Sequence, residues 1–351
     1  MEPMNFAFLK NGPGRANGRS VAIIGAGPTG LAAAGYLACL GYRVEVFDKL
    51  PKAGGLMVFG IPEERLPAGR IDNAVALLRD RYGVRFRMAT KVCGDEALCQ
   101  DAGDDQAITL KSLGGRIAEH DAVMLCTGAW RANRLNIQGD DLPGVVPALS
   151  LLLARRLCSQ SVEESLDLTI SGRRVVVVGA GHSAVDAANT AQRMGASNVT
   201  MTYRRGLKEA PCGMAAIEDL VRNGVVVLEH LHPLRILGCD RVEQVEFVER
   251  GNKASWLLPV DVLVVAIGDK PNVPFEQTLN VTGLRREHDG KPALASTMTA
   301  LEGVFVAGDA LTGPTKIGRA VYSGLCVARI LDRWLTSRTY AQAAQPSGGQ
   351  A

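Results

Sequence analysis

With 351 residues the chain exceeds one ordinary compact domain and suits two domains of roughly 150 residues each. Hydrophobic residues make up 47% and charged residues 21%, the balance of a soluble globular protein with a substantial core. The net charge of +3 is too small to argue for nucleic acid or a membrane surface, and no apolar run nears the length of a membrane span.

Residues 1–18 end in Asn17-Gly18, are rich in Gly and Asn, and read as a loose lead-in. The run Val21-Ala-Ile-Ile then predicts a strand, and Gly25-x-Gly27-x-x-Gly30 a tight turn opening a helix over Leu31 to Leu40. In such a turn Gly25 permits the bend, Gly27 lets a pyrophosphate approach the backbone, and Gly30 lets helix and strand pack closely. A second strand, Arg43 to Phe47, ends at Asp48, where an acid can hydrogen-bond ribose hydroxyls. The strand Ala122-Val-Met-Leu-Cys-Thr-Gly128 closes this first half.

The pattern then repeats. Val175-Val-Val-Val leads into Gly179-x-Gly181-x-x-Ala184, a helix to about Met194 and a strand Asn198 to Tyr203. The repeat predicts the βαβ unit of a Rossmann fold, present twice. The second turn has Ala at its third position, as is common in nucleotide domains that take NADP. Its second strand is followed by Arg204-Arg205 instead of an acid. Two guanidiniums there can clamp a 2′-phosphate, which favours NADPH over NADH; the plainer reading is a solvated basic pair. His182 and Ser183 open the second helix, where His182 either touches the cofactor or caps the turn.

Val262-Leu-Val-Val-Ala-Ile-Gly268 predicts an apolar strand ending in glycine, and Gly303-Val-Phe-Val-Ala-Gly-Asp309 a last strand. A helix follows over about Ile317 to Leu335, and from about Ala341 the Gln/Pro/Ser/Gly-rich end reads as a flexible tail. The fold class is therefore α/β, with two Rossmann-like dinucleotide-binding domains. Residues 19–139 and 290–340 are expected to form one of them, and residues 140–289 the other, inserted into it as the NAD(P)H domain.

Eight cysteines are scattered without a Cys-x-x-Cys pair, which argues against a metal or cluster site and for small buried hydrophobes in a cytoplasmic protein. Glu218 reads as a solvated helix acid, and Trp256 and Trp334 as structural.

The chain resembles the glutamate synthase small-subunit family and its FAD-containing relatives, a group also similar to adrenodoxin-type reductases. The resemblance lies in Gly54-Gly55-Leu56-Met57-Val58-Phe59-Gly60-Ile61-Pro62, Arg65-Leu66-Pro67, Thr127-Gly128-Ala129-Trp130 and Gln138-Gly139-Asp140-Asp141-Leu142-Pro143-Gly144-Val145. Tyr203-Arg204-Arg205 and Val306-Ala307-Gly308-Asp309 extend it, so that it covers roughly residues 19 to 338. It implies that Gly55 and Leu56 lie against the flavin, that Val92 holds the adenine through its backbone, and that Asp309 contacts the ribitol. Pro28, Thr29, Lys49, Arg65, Thr127, Gly128, Gly308, Lys316 and Ile317 complete the implied FAD site. The helix that starts at Lys316-Ile317 would aim its N-terminal amides at the flavin pyrimidine edge. Gly179, Gly181, His182, Ser183, Ala184, Arg204, Arg205 and Gly268 form the expected NAD(P)H site.

Members of that family often carry an N-terminal domain with iron–sulfur cysteines, which this sequence is expected to lack. The expected partner is then an iron–sulfur protein or larger catalytic subunit, as in glutamate synthase or an aldehyde or 2-oxoacid oxidoreductase. A stand-alone ferredoxin–NADP reductase is the alternative enzyme, and a non-redox scaffold subunit the alternative of another class. Hydride transfer between bound cofactors needs no acid–base residue, so no catalytic side chain and no metal ligand is expected.

Overall fold

The computed structural model describes residues 4–9, 12–94, 101–157, 170–251, 255–271, 297–299 and 301–343, the side chains of 339–343 excepted. The chain divides into two compact units: residues 1–58, 66–129 and 271–351, and residues 59–65 and 130–270.

The first unit begins with β1 (Ser20–Ile24), α1 (Pro28–Cys39) and β2 (Arg43–Phe47). The short turn α2 (Leu56–Phe59), α3 (Ala68–Tyr82), β3 (Arg85–Arg87), β4 (Thr90–Cys93), β5 (Thr109–Ser112), α4 (Leu113–Glu119) and β6 (Ala122–Leu125) follow. The second unit holds β7 (Arg131–Ala132), β8 (Val145–Pro147), α5 (Ala148–Leu157), β9 (Arg174–Val178), α6 (His182–Arg193), β10 (Asn198–Thr202), α7 (Met214–Arg222) and β11 (Val226–Leu228). Strands β12 (Leu231–Leu237), β13 (Gln244–Glu249) and β14 (Ser255–Pro259) form an antiparallel sheet, followed by β15 (Val262–Val265) and β16 (Asp269–Lys270). The chain ends in the first unit with β17 (Val304–Val306), α8 (Asp309–Thr312) and α9 (Ile317–Ala343).

Each unit is built on one wholly parallel sheet, ordered β17-β6-β1-β2-β3 in the first and β11-β10-β9-β15-β8 in the second. In both, the strand before the glycine turn is central. The chain winds first to one side of it and later to the other, which opens a crevice at its carboxyl end. Central strands are covered on both faces, which is why β1, β6, β9 and β15 read as near-continuous apolar runs instead of alternating ones.

The boundaries fall at 129/130 and 270/271, earlier than the 139/140 and 289/290 expected. Arg131–Ala132 pairs antiparallel with Asp269–Lys270, and Ile236 N donates to Gln138 O at 2.8 Å. Those bonds commit residues 131–138 to the second unit; residues 289 and 290 lie outside the described residues.

Two further expectations need correction. The lead-in is packed: Phe6 is 2% exposed, and Gly14 N donates to Ala38 O at 3.1 Å at the end of α1. Gly35 permits this, because a Cβ on it would lie 2.1 Å from the Phe6 carbonyl oxygen. At the other end, α9 runs to Ala343, into the stretch expected to be tail. Among the described cysteines Cys39, Cys93 and Cys126 are buried, but Cys239, in the turn between β12 and β13, is exposed. Cys99 and Cys158 lie outside the described residues. Trp334 packs edge-on to Phe305, whereas Trp256 is 47% exposed on the outermost strand of the antiparallel sheet. Glu218 is exposed on α7, as expected. Among the described residues no helix is long and apolar enough to cross a membrane.

Candidate functional site

In the first unit the glycine turn is held from several sides. Gly25 has φ +110°, and a Cβ there would meet the Cys126 carbonyl oxygen at 2.2 Å. A Cβ on Gly30 would lie 1.9 Å from the Gly25 oxygen. Gly27 caps α1 without any side-chain hydrogen bond, with Pro28 in the first turn, and a Cβ on it would meet nothing within 4 Å. So two of the three glycines are demanded by the fold, and the third stands open where a phosphate would approach the helix N-terminus. Gly55, at φ +52°, packs on this open glycine: its Cβ would lie 2.9 Å from the Gly27 Cα.

Asp48 grips the turn itself. One carboxylate oxygen accepts from Ala26 N at 2.6 Å, the other from Leu50 N at 2.9 Å. Burial pushes its pKa up; the two amides and the nearby Lys49 charge oppose that. Both oxygens thus serve the protein backbone, a role the sequence reading did not anticipate. Lys49 turns to Asp104 and the Ala102 carbonyl, at 2.9 and 2.6 Å, instead of presenting a free cation to the turn. Val92 is buried in β4, and Thr127-Gly128 follow β6 with Gly128 at φ +80°.

The end of β17 joins the same site. A Cβ on Gly308 would strike the Thr29 Oγ1 at 2.1 Å, and one on Gly324 the Thr29 carbonyl at 2.3 Å. Gly308 N donates to the buried Ser323 Oγ at 2.8 Å. Ser323 and Gly324 were missed by sequence reasoning, because helical spacing alone makes them ordinary small residues. Asp309 accepts from Thr315 Oγ1 at 2.6 Å; burial raises its pKa and the threonine bond opposes the rise. Lys316 is exposed and Ile317 partly buried at the start of α9; Leu56 is partly buried in α2.

The second unit repeats the turn. Gly179 has φ +130°, its Cβ would lie 2.2 Å from the Ala266 oxygen, and Gly181 stands open with nothing within 4 Å. Ala184 is fully buried, while His182 and Ser183 are exposed on the first turn of α6. No side chain caps that helix, so His182 does not serve as its cap. A cleft of about 580 Å³ lies over this turn, lined by Gly179, Gly181, Arg204, Arg205, Asn133 and Gly268, among others. Both guanidiniums are exposed, and neither has a hydrogen-bond or ion-pair partner among the described residues. Asn133 was not foreseen: its amide nitrogen reaches the Ile267 carbonyl at 3.4 Å, and its backbone N donates to Gly268 O at 3.0 Å.

Arg65, expected at the flavin, belongs to the second unit. It pairs with the buried Asp186 of α6 at 2.5 Å. Its neighbours Glu63 and Glu64 pair with Arg156 of α5 and Arg193 of α6, so the charges of this segment are matched by helices of the second unit.

Both turns therefore fit a dinucleotide: each has a first glycine jammed against a carbonyl and a bare second glycine at an uncapped helix N-terminus, with Gly30 at the third position of one and the buried Ala184 at that of the other. The sequence profile of the pyridine nucleotide-disulphide oxidoreductases matches residues 19–324. The chain belongs to this family. Among its relatives is the glutamate synthase [NADPH] small chain of Halomonas elongata, 31% identical, covering 87% of this chain and 66% of that one. Another is the NADP(+)-dependent formate dehydrogenase subunit beta of Moorella thermoacetica, 31% identical over 92% of this chain and 45% of that one. The chain thus spans about two thirds of the first relative's length and under half of the second's. FprA from Mycobacterium tuberculosis, in complex with NADPH, shares the fold with a TM-score of 0.73 at 19% identity, over 93% of this chain and 86% of that one.

Proposed function

We propose that this member of the pyridine nucleotide-disulphide oxidoreductases holds FAD in its first unit and NADPH in its second, and passes electrons to the iron–sulfur clusters of a partner. The observation that carries the reading is the pair of exposed guanidiniums, Arg204 and Arg205, without a partner among the described residues, in the cleft over the second glycine turn. Such a pair suits a 2′-phosphate.

In the first unit Gly27 and the N-terminus of α1 would receive the FAD pyrophosphate, with Asp48 fixing the Ala26 amide beside it. Asp309 and the start of α9 would meet the ribitol and the flavin edge. In the second unit Gly181 and the first turn of α6 would take the NADPH pyrophosphate. Bound FAD supplies hydride acceptance and single-electron release, a chemistry no side chain provides. The protein's share is to bind, orient and keep water out, so no general acid or base is assigned. Relatives named as a small chain and as a subunit beta support a partner that carries the remaining chemistry.

The test is to purify the chain and titrate it with FAD. A yellow protein whose flavin absorbance is bleached by NADPH, and which then reduces an added ferredoxin, is expected. A protein that no FAD reconstitutes overturns the reading.

A further inference from the structure

Beside the FAD turn runs a row of charges that the function above does not use. Lys49 follows the turn-holding Asp48. Its ammonium donates to Asp104 Oδ1 at 2.9 Å, and Lys91 donates to Asp104 Oδ2 at 2.7 Å. All three side chains are nearly buried, at 13%, 11% and 10% exposed for Lys49, Asp104 and Lys91. The Asp104 carboxylate also accepts from Asp101 N at 2.9 Å. Burying three charges is costly unless they are paired and hydrogen-bonded, as these are.

The two lysines belong to different segments. Lys49 sits in the turn after β2, the place where a Rossmann fold meets the adenosine ribose. Lys91 lies on β4, next to Val92. Backbone bonds already join these segments: Thr90 N donates to Asp48 O, and Ala89 N to Leu50 O, each at 2.8 Å. Asp104 ties them a second time through their side chains. It reaches them from a short 3-10 turn, Asp104–Gln106, whose approach Lys49 also secures through the Ala102 carbonyl at 2.6 Å. The signs alternate along the row: Asp48, Lys49, Asp104, Lys91. Removing the Asp104 carboxylate takes away the anion the two ammoniums share and loosens the side-chain tie between their segments.

We propose that Asp104 is a positioning residue for the adenosine end of FAD, holding Lys49 and Lys91 so that the Asp48–Leu50 turn and strand β4 keep the spacing the adenosine occupies. This rests on the assignment of FAD to the first unit. It does not require Asp104 to touch the cofactor.

The experiment compares FAD with FMN, which carries the same flavin but lacks the adenosine. Dissociation constants of both are measured on apoprotein by flavin fluorescence, for the wild-type chain, Asp104→Asn and the milder Lys49→Met, alongside the melting temperature of each apoprotein. Lys49→Met keeps Asp104 neutralised by Lys91, so it serves if Asp104→Asn does not fold. The expected result is an FAD constant raised about tenfold, the factor carried by one charge-assisted hydrogen bond, with the FMN constant unchanged. Equal losses for FAD and FMN, or a loss for neither, overturn the proposal. A wild-type apoprotein that binds no FAD would instead overturn the assignment of the cofactor, a separate failure.

Discussion

The two glycine turns invite a direct comparison, because the chain builds the same device twice and finishes it differently. At the first glycine they match: Gly25 and Gly179 both take positive φ, and each would drive a Cβ 2.2 Å from a carbonyl oxygen of the neighbouring strand's end. At the second glycine they match again, both open. The third position differs. Gly30 is pressed on the Gly25 carbonyl, whereas the second turn accommodates Ala184, buried with its methyl in the core. Beyond the next strand the chemistry inverts, from a buried acid whose oxygens bind backbone amides to two exposed cations without a side-chain partner among the described residues. The lesson is that the same backbone turn is kept in both units, while the side chains after the second strand are free to differ in charge and exposure.

The largest expected effect comes from forcing the first turn to copy the second. Gly30→Ala places a methyl 1.9 Å from a carbonyl, with no flexible side chain to yield. It should cost about 4 kcal/mol or more in stability and abolish FAD retention, read by urea unfolding and by the absorbance of the purified protein. A variant that stays yellow with an unchanged unfolding midpoint would show the two turns to be equivalent after all.

Next comes the cation pair. Arg204→Ala with Arg205→Ala should lower kcat/KM for NADPH about 100-fold, roughly 3 kcal/mol, and leave NADH nearly unaffected. Steady-state dye reduction with both donors measures it. Equal losses for both donors would mean the arginines do not read the 2′-phosphate.

The smallest effect concerns the loop that follows each neighbouring strand. After Gly128 the first unit continues with Ala129; after Gly268 the second continues with Asp269, whose pKa burial pushes up to about 6. A raised acid pKa means that the folded state binds its proton more tightly than the unfolded state, whose value lies near 3.8. Below that value the group costs nothing; from there to about 6 stability falls as pH rises, and above 6 the full penalty stands. Asp269→Asn should therefore raise stability at pH 7.5 by about 1–2 kcal/mol and change little at pH 3.5, checked by melting curves at both. A gain that is the same at both pH values would remove burial of charge as its cause.

Much of this architecture was legible in the chain. A glycine turn between an apolar run and an Ala-rich helix is a local pattern, and Gly25, Gly27, Gly30, Gly179 and Gly181 stand where that pattern places them. Arg204 and Arg205 were legible for the same reason, lying one step past a predicted strand. What escaped were side chains whose partners are chosen by tertiary packing. Lys49 meets an aspartate 55 positions away, and Arg65 one 121 positions away. No periodicity in the sequence links such pairs. The strand pair Arg131–Ala132 and Asp269–Lys270 was not legible, because it is too short to register as strand by composition.

The seat of Phe6 changes how the protein's front end should be handled. A recombinant chain trimmed to begin at residue 19 would strip the plug from the notch at Gly35 and bare a helix that is apolar on nearly every side. Such a product would be prone to clump, and its loss would be mistaken for a requirement for a missing partner.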